Sequence, residues 1–286
     1  MSVKAQSWFE EVFHDHFAIG YRIEGHLHHS VSPFQTIDVC ETSKYGKLLA
    51  LDGAIMLTER DEHIYHEMLV HVPLLSHEDP KRILVVGGGD GGTVREVLQH
   101  DTVDQVDMVE IDEDVVKVCR RYLPALSGKL DDPRVKLFFQ DAVEFVKGLD
   151  GVYDAALIDS TDPAGPGEVL FTEDFYRDVL RALKPGGVVA LQSESPFSLE
   201  GEMGMIYRRL AAVFPYAAIY WAPIPCYPYG TWSFMFCSRD GQGPDIRRPE
   251  AAQKTESRCK YYNPDIHWAA FVLPNFMRDF LPEKKR

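Results

Sequence analysis

The chain has 286 residues, of which 45% are hydrophobic and 26% are charged, and its formal net charge is −14. This composition is typical of a globular protein and excludes a disordered or fibrous one. The acidic surplus disfavours nucleic acid or an anionic membrane as a partner and suits a cationic one. A chain of this length buries about three quarters of its unfolded surface, so its core needs neither disulfides nor a structural metal.

The five cysteines are odd in number and include no C-x-x-C pair. We therefore expect neither a disulfide scaffold nor a tetrahedral zinc site, and we predict a cytoplasmic location. The first residues include acids where a signal peptide would be apolar. The strongly apolar segment 211–229 contains four prolines, too many for a helix that spans a membrane. We expect a soluble protein.

The N-terminal part of the chain has a strand-like pattern. Residues 17–60 alternate apolar and polar side chains, with glycine turn signals between them. This alternation predicts antiparallel strands near 34–39 and 47–51, joined by short turns. From Asp61 the apolar residues recur at helical spacing instead. We therefore predict a small N-terminal β domain over residues 1–60.

Strand and helix patterns alternate from residue 81 onward. The strand patterns lie at 83–86, 106–109, 135–139, 155–158, 188–191, around 219 and at 234–237. This alternation predicts an α/β domain with a doubly wound, mostly parallel seven-stranded sheet, which we assign to residues 61–286. Residues 239–260 are polar with Gly and Pro, so we expect a surface loop there and a last helix near 265–273.

A glycine-rich turn, Gly87-Gly88-Gly89-Asp90-Gly91-Gly92, follows the first strand of this domain and precedes a helix. An acid, Glu110, closes the next strand 18 residues after Gly92 (110 − 92). This is the nucleotide-binding fingerprint in its expected context. Glycines such as Gly87 and Gly89 let a ligand approach the backbone, and the carboxylate accepts hydrogen bonds from a ribose diol. The motif predicts a nucleoside site.

Carboxylates follow the ends of four neighbouring strands. They are Asp90, Glu110, Asp112, Asp141, Asp159 and Asp162. Because the carboxyl ends of the strands form the ligand crevice of an open α/β sheet, we expect a crevice rimmed by acids. Asp112 and Asp141 also stand where helix N-caps are expected.

Asp90 discriminates between classes of ligand because it lies inside the glycine turn, where a dinucleotide places its pyrophosphate. Two unit charges 4 Å apart interact by about 4 kcal/mol at an effective dielectric of 20, and for a phosphate this interaction is repulsive. NAD, FAD and ATP are therefore disfavoured. A nucleoside with positive charge, such as a sulfonium with an ammonium arm, is favoured.

Several segments, taken together, resemble one known family. They are Trp8-Phe9, Thr58-Glu59-Arg60-Asp61-Glu62, Tyr65-His66-Glu67-Met68, the glycine turn, Val109-Glu110-Ile111-Asp112, Asp159-Ser160-Thr161-Asp162-Pro163, Gly165-Pro166, Tyr227-Pro228 and Tyr261-Tyr262-Asn263-Pro264. Over nearly its whole length the chain resembles the spermidine synthase family of aminopropyltransferases. The resemblance implies a Rossmann-like, methyltransferase-type sheet and a homodimer or homotetramer. It implies transfer of an aminopropyl group from decarboxylated S-adenosylmethionine to putrescine or a related diamine, which gives spermidine and methylthioadenosine.

The resemblance also implies roles for individual residues. Asp159 would be the general base, with Tyr65 orienting the amine. The implied nucleoside contacts are Gln35, His66, Gly87, Gly89, Asp90, Glu110, Asp141, Ala142 and Pro166. The implied amine contacts are Asp90, Asp159, Asp162, Gln192 and Tyr227. A base is needed because an amine of pKa about 10.4 costs about 4.6 kcal/mol to keep neutral at pH 7. The sulfonium becomes neutral as it leaves, so we expect no metal and no cofactor.

Other interpretations remain open. An S-adenosylmethionine-dependent methyltransferase shares the sheet and the ribose acid, and a non-catalytic polyamine or nucleoside-binding module is a second alternative. The acceptor is open among putrescine, cadaverine, agmatine and spermidine. Cys226 and Tyr229 stand where the family commonly has Thr and Ser, so we expect Tyr229 to reshape the far end of the amine channel. The charge run from Glu59 to Glu62 is interpreted as a solvated helix start.

Overall fold

The computed structural model describes residues 7–13, 15–161, 165–198 and 201–281. The N-terminal sheet has five antiparallel strands that pair in chain order. They are β1 (Ser7–Phe13), β2 (Phe17–Val31), β3 (Thr36–Thr42), β4 (Lys47–Leu51) and β5 (Ala54–Thr58). The sequence predicted the regions of β3 and β4. It did not single out β1 or the 15-residue β2, whose outward residues are exposed and interrupt the apolar pattern.

One face of this small sheet packs against the rest of the chain. Ile37, Val39 and Leu49 are almost fully buried and lie in one cluster with Val115 and Cys119. Burial of this face stabilises the sheet, because strands with one apolar face need a covering layer. The sheet ends at Thr58, and we propose to keep the domain division near residue 60.

The second sheet has seven strands in the order β11-β12-β10-β9-β6-β7-β8. They are β6 (Arg82–Gly87), β7 (Gln105–Glu110), β8 (Val135–Phe139), β9 (Tyr153–Asp159), β10 (Leu183–Gln192), β11 (Tyr216–Pro223) and β12 (Thr231–Ser238). The five neighbouring strands from β10 to the edge strand β8 are parallel, and β12 runs antiparallel to both of its neighbours. This confirms the predicted mostly parallel, methyltransferase-type sheet.

Helices cover the second sheet. They are α1 (Glu62–Leu75), α2 (Gly92–Val97), α3 (Glu113–Tyr122), α4 (Pro124–Ser127), α5 (Ala142–Val146), α6 (Glu173–Ala182), α7 (Glu202–Val213), α8 (Pro249–Glu256), α9 (Pro264–Ala269) and α10 (Asn275–Arg278), with a 3-10 helix at Gly165–Phe171. The prediction of a surface loop over 239–260 was wrong for Pro249–Glu256, which form α8. Only Ala252 and Thr255 are buried in that helix, too few to give a periodic signal. None of the helices in the described part of the chain has both the length and the apolar character that a bilayer crossing requires.

Helix α1 is buried along most of its length and fixes the C-terminal segment. The Glu67 carboxylate, which is 3% exposed, accepts backbone hydrogen bonds from Lys260, Tyr261 and Tyr262 at 2.7–2.9 Å. Three donors on one carboxylate satisfy its charge away from water. The Tyr-Tyr-Asn-Pro motif is therefore held against the helix that also carries Tyr65 and His66.

Candidate active site

A cavity of about 350 Å³ lies between the small sheet and the carboxyl edge of the large sheet. Eleven of the residues predicted to form the site line it: Gln35, Tyr65, His66, Gly87, Gly89, Asp90, Glu110, Asp141, Ala142, Asp159 and Tyr227. Asp52 brings the carboxylates in the wall to five, and the described lining includes neither Arg nor Lys. Five carboxylates and a single imidazole leave the cleft with a surplus of acidic groups, which produces a negative potential and attracts cations.

The glycine turn is shaped by close contacts with the site residues. The last residue of β6, Gly87, pairs with Asp159, the last of β9, and has a φ of +77°. A Cβ on Gly87 would lie 2.1 Å from the Asp159 carbonyl oxygen, and a Cβ on Gly92 would lie 2.4 Å from the His66 ring. Any side chain at these two positions would displace Asp159 or His66.

Asp159 is held by two hydroxyl groups. Tyr65 Oη donates to its Oδ1 at 2.8 Å, and Thr93 Oγ1 donates to its Oδ2 at 2.6 Å. Burial, followed by the charge of Asp90, raises the pKa of Asp159 above its ordinary value. Burial and the adjacent Asp159 raise the pKa of Tyr65 well above its usual range, so the phenol remains a donor. A carboxylate with a raised pKa and free lone pairs is suited to take a proton.

His66 joins the cavity to a buried ion network. Its Nδ1 lies 2.7 Å from Glu62 Oε2 and its Nε2 lies 3.4 Å from Asp90 Oδ1. Arg95 donates to both oxygens of Glu62, at 2.8 and 3.0 Å. Burial disfavours the charged imidazole, but Asp90 and Glu62 outweigh burial and raise the pKa of His66 well above its ordinary value. One positive charge thus lies beside Asp90.

The interpretation of the charge run as a solvated helix start was wrong for Asp61 and Glu62. Both are buried, at 5% and 6% exposed. The physical reason is that α1 is buried from its first turn, so its acids find internal partners. Hydrogen bonds from His66 and Arg95 outweigh burial and lower the pKa of Glu62 to about 2. The i, i+4 spacing of Glu62 and His66 was the signal that would have indicated this pair.

Three groups of the metal-ligating type meet in the cavity. Atoms of His66, Asp90 and Asp159 lie within 4.8 Å of one another. A protonated imidazole has no free lone pair for a metal ion, and both nitrogens of His66 already face carboxylates. This arrangement favours an internal ion pair at Asp90 over metal ligation, and metal independence stays a prediction.

Glu110 lies at the end of β7 and is 9% exposed. Its Oε1 accepts the Asp112 backbone N–H at 2.9 Å, and its Oε2 faces the Gly89 backbone. Burial, with the charges of Asp112 and Asp159 added to it, raises the pKa of Glu110 to about 7. Partners that donate hydrogen bonds to the ionised carboxylate, as a sugar diol does, would lower this pKa again.

The remaining acids lie on the side of the cavity where the nucleoside was predicted, and they act as helix N-caps, as expected. Asp112 accepts from the Asp114 N–H at the start of α3, and Asp141 accepts from the Val143 N–H at the start of α5. Gln35 Nε2 donates to Asp112 Oδ2 at 2.9 Å, which joins the small sheet to this edge of the large one. Between the two sheets, apolar side chains from both domains complete the wall, including those of Leu49, Leu51, Met56, Val86 and Val109.

Tyr227 lies at the other end of the cavity. Its Oη donates to the Met56 carbonyl at 2.9 Å, and its ring lies edge-on to Tyr65 with centroids 5.8 Å apart. Gln192 is not among the described lining residues. Its amide donates to the Thr161 carbonyl and accepts from Trp232 Nε1, so it supports the wall from behind, and its predicted contact with an amine stays a prediction.

Two predicted residues fall at the limits of the described structure. Asp162 lies outside the described residues. Pro166 belongs to the 3-10 helix Gly165–Phe171, which contributes Gly167, Val169 and Leu170 to the cavity wall; its own side chain lies outside the described part.

Tyr229 packs on the N-terminal hairpin, and its expected effect on the far end of the channel stays a prediction. Its ring packs against Phe13 and Phe17 of the N-terminal hairpin, with centroids 5.8 and 4.5 Å away. Tyr229 is not among the described lining residues. The neighbouring Cys226 is buried, and burial together with Asp61 raises the pKa of its thiol well above the ordinary value.

Fold and site together define the class. The fold is a methyltransferase-like α/β fold, and an acid-lined crevice lies at the carboxyl edge of its sheet. Two family models match the chain: the spermidine synthase tetramerisation domain over residues 7–59 and the spermine/spermidine synthase domain over residues 62–248. The chain belongs to the spermine/spermidine synthase family and is a transferase.

Curated relatives agree with this assignment. The chain is 44% identical to the polyamine aminopropyltransferase of Clostridium perfringens (strain 13 / Type A), over 96% of this chain and 97% of that one. It is 43% identical to the polyamine aminopropyltransferase of Clostridioides difficile (strain 630), over 97% of this chain and 99% of that one.

Solved structures are similar along nearly the whole chain. One is a spermidine synthase in complex with the transition state analogue AdoDATO, at 40% identity and a TM-score of 0.93, covering 96% of this chain and 94% of that one. Another is the spermidine synthase of Thermotoga maritima, at 38% identity and a TM-score of 0.90 with the same coverage.

Proposed function

We propose that this protein transfers the aminopropyl group of decarboxylated S-adenosylmethionine to putrescine, which gives spermidine and methylthioadenosine in polyamine biosynthesis. The observation that carries the proposal is the cavity wall of five carboxylates with no described Arg or Lys. Both substrates are cations, so this wall attracts both of them. The names of the curated relatives support the same reaction class.

The nucleoside would lie over the ends of β6, β7 and β8. Glu110 would accept hydrogen bonds from the ribose diol, since its carboxylate faces the cavity beside the Gly89 backbone. Asp141 and the Ala142 backbone would contact the adenine. Gln35 and the glycines Gly87 and Gly89 would complete the binding surface, because the missing side chains leave the backbone accessible to the ligand.

The cationic end of this nucleoside would lie near Asp90. Asp90 faces His66 at 3.4 Å and accepts the Gly92 N–H at 2.6 Å, both through Oδ1. Its Oδ2 would then receive the aminopropyl ammonium. Ordinary S-adenosylmethionine carries an additional carboxylate at this position, which Asp90 would repel.

The amine would enter between Tyr227, Asp159 and the segment that follows β9. It arrives as an ammonium, and Asp159 takes one proton from it, with Tyr65 fixing the position of the carboxylate. The neutral nitrogen then attacks the methylene carbon beside the sulfonium. The C–N bond forms, the C–S bond breaks, and its electron pair neutralises the sulfur. The product is a secondary ammonium, and Asp159 returns its proton to solvent.

The small sheet would join copies of the chain into a homodimer or homotetramer. Strands β1 and β2 of this sheet expose large apolar side chains: Trp8 (52%), Val12 (62%), Leu27 (38%) and Val31 (72%). Large apolar side chains exposed in this way can be covered at an interface. The match of residues 7–59 to a tetramerisation domain supports this proposal. The cytoplasmic location stays a prediction from the cysteine content.

Turnover of the purified protein tests the proposed function. With decarboxylated S-adenosylmethionine and putrescine, in the presence of EDTA, we expect equimolar methylthioadenosine and spermidine. Cadaverine, agmatine and spermidine serve as competing acceptors in parallel assays. Methyl transfer from ordinary S-adenosylmethionine would contradict the proposal, as would a requirement for added metal or the absence of turnover with every amine.

A further inference from the structure

The turn that carries Tyr227 has an unusual backbone conformation. Gly230 N–H donates to the Tyr227 carbonyl at 2.9 Å and Ile224 N–H donates to the Gly230 carbonyl at 3.0 Å, which closes the turn on itself. Within it Tyr229 has a φ of +62°. Positive φ is typical of Gly, Asn or Asp in turns and is unfavourable for a bulky side chain. A tyrosine here needs a compensating interaction from outside the turn.

The compensating interaction comes from the N-terminal hairpin. Phe13 closes β1, Phe17 opens β2, and the two pair across the hairpin. The Tyr229 ring is tilted by 30° against that of Phe17, with centroids 4.5 Å apart, and lies edge-on to that of Phe13 at a centroid distance of 5.8 Å. Aromatic pairs in these geometries stabilise a contact beyond the area that they bury. The turn of the large domain is thereby attached to the small sheet.

The same turn places an aromatic ring in the active-site cavity. The Tyr227 ring contacts the rings of Tyr65 and Trp232, with ring centroids 5.8 and 4.7 Å apart, respectively. Tyr65 in turn donates to Asp159. The hairpin therefore contacts the Tyr229 ring, the backbone of the turn joins Tyr229 to Tyr227, and Tyr227 contacts Tyr65, which donates to the group that would deprotonate the amine.

We propose that Tyr229 is a positioning residue for the amine: its ring, packed on Phe13 and Phe17, holds the turn and with it the Tyr227 ring at the amine side of the cavity. This inference rests on the proposed function, because it takes Tyr227 to contact the amine. Tyr229 itself touches no reacting atom. It makes amine binding depend on the position of the N-terminal hairpin.

The Tyr229→Asn variant removes the ring but keeps the backbone conformation, because Asn accepts positive φ. It therefore tests the ring alone. We expect the KM for putrescine to rise roughly tenfold, the scale of one aromatic pair. The kcat and the KM for decarboxylated S-adenosylmethionine stay within about twofold, because a lost contact common to ground and transition states changes KM alone. Tyr229→Phe keeps the ring and should retain the parent's KM for putrescine.

Tyr122→Asn is the matched control. It removes another aromatic contact between the large domain and β2, the pairing of Tyr122 with His28 at 5.4 Å, and should leave both KM values unchanged. Three results would overturn the proposal. They are a normal KM for putrescine in Tyr229→Asn, an equal defect in Tyr229→Phe, or a parallel rise in both KM values.

Amide hydrogen exchange gives a readout that needs no substrate. The Gly230 N–H should exchange at least about tenfold faster in Tyr229→Asn than in the parent and at the parent's rate in Tyr229→Phe, since exchange reports local opening. Unchanged exchange would show that the ring does not hold the turn. Absence of turnover by the parent would contradict the proposed function, while the exchange rates would still decide whether Tyr229 holds the turn.

Discussion

Replacing Asp159 with Asn is expected to lower kcat at least about a hundredfold, the usual scale for loss of a general base. The amide keeps an oxygen that accepts the Tyr65 hydroxyl but cannot take a proton at neutral pH. Binding of the nucleoside should change little, since Glu110 and the glycine turn remain. Stopped-assay measurement of methylthioadenosine release at saturating concentrations of both substrates gives the kcat of each variant.

The pH dependence of kcat supplies a second test of the same residue. Burial and Asp90 raise the pKa of Asp159, and only the ionised carboxylate accepts a proton, so kcat of the parent falls as pH drops through that raised pKa. The Asn variant should lack this decline. Asp154→Asn is the control on the same strand, because that buried carboxylate binds Arg82 N–H and Lys184 outside the cavity. A near-normal kcat in Asp159→Asn would show that Asp159 is not the general base.

Replacing Asp90 with Asn is expected to narrow the difference in affinity between decarboxylated and ordinary S-adenosylmethionine by at least about tenfold. The physical reason is that two like charges about 4 Å apart repel by about 4 kcal/mol at an effective dielectric of 20, and Asn removes one of them. Attraction for the aminopropyl ammonium falls at the same time. Calorimetric titration of each nucleoside gives the two dissociation constants for the parent and the variant.

The control for this experiment is Asp114→Asn, which makes the same charge change at a half-exposed side chain in the first turn of α3. It should leave the ratio of the two dissociation constants within about twofold. A ratio in Asp90→Asn equal to that of the parent would show that another group is responsible for the selectivity. His66 would then be the first group to test, because its Nε2 lies 3.4 Å from Asp90.

The central sheet and the acidic edge were predictable from the sequence because both follow from local patterns. A β-branched run that ends in glycines predicts where β6 stops, and parallel strands bring their carboxyl ends to one edge. Asp90, Glu110 and Asp159 therefore come together although they are far apart in the chain. The lining of one cavity by all three agrees with that expectation.

Features that depend on tertiary contacts were not predictable in this way. Thr93 reaches Asp159 only after α2 packs beside the end of β9, and Arg95 reaches Glu62 only after α1 and α2 pack together. Neither residue type carries a local signal for such a role. Tyr229 is a similar case, since its partners belong to a hairpin more than two hundred positions earlier (229 − 17 = 212). Long-range side-chain pairs of this kind require the fold.

The most direct test of the account is an equilibrium titration of the unmodified protein with decarboxylated S-adenosylmethionine and, separately, with NAD. Both contain an adenine nucleoside, but one carries a sulfonium and an ammonium and the other carries a pyrophosphate. Since the described cavity wall has five carboxylates and no Arg or Lys, we predict that the cationic nucleoside binds at least about a hundredfold more tightly. Equal or tighter binding of NAD would contradict the assignment of this cavity to a cationic nucleoside.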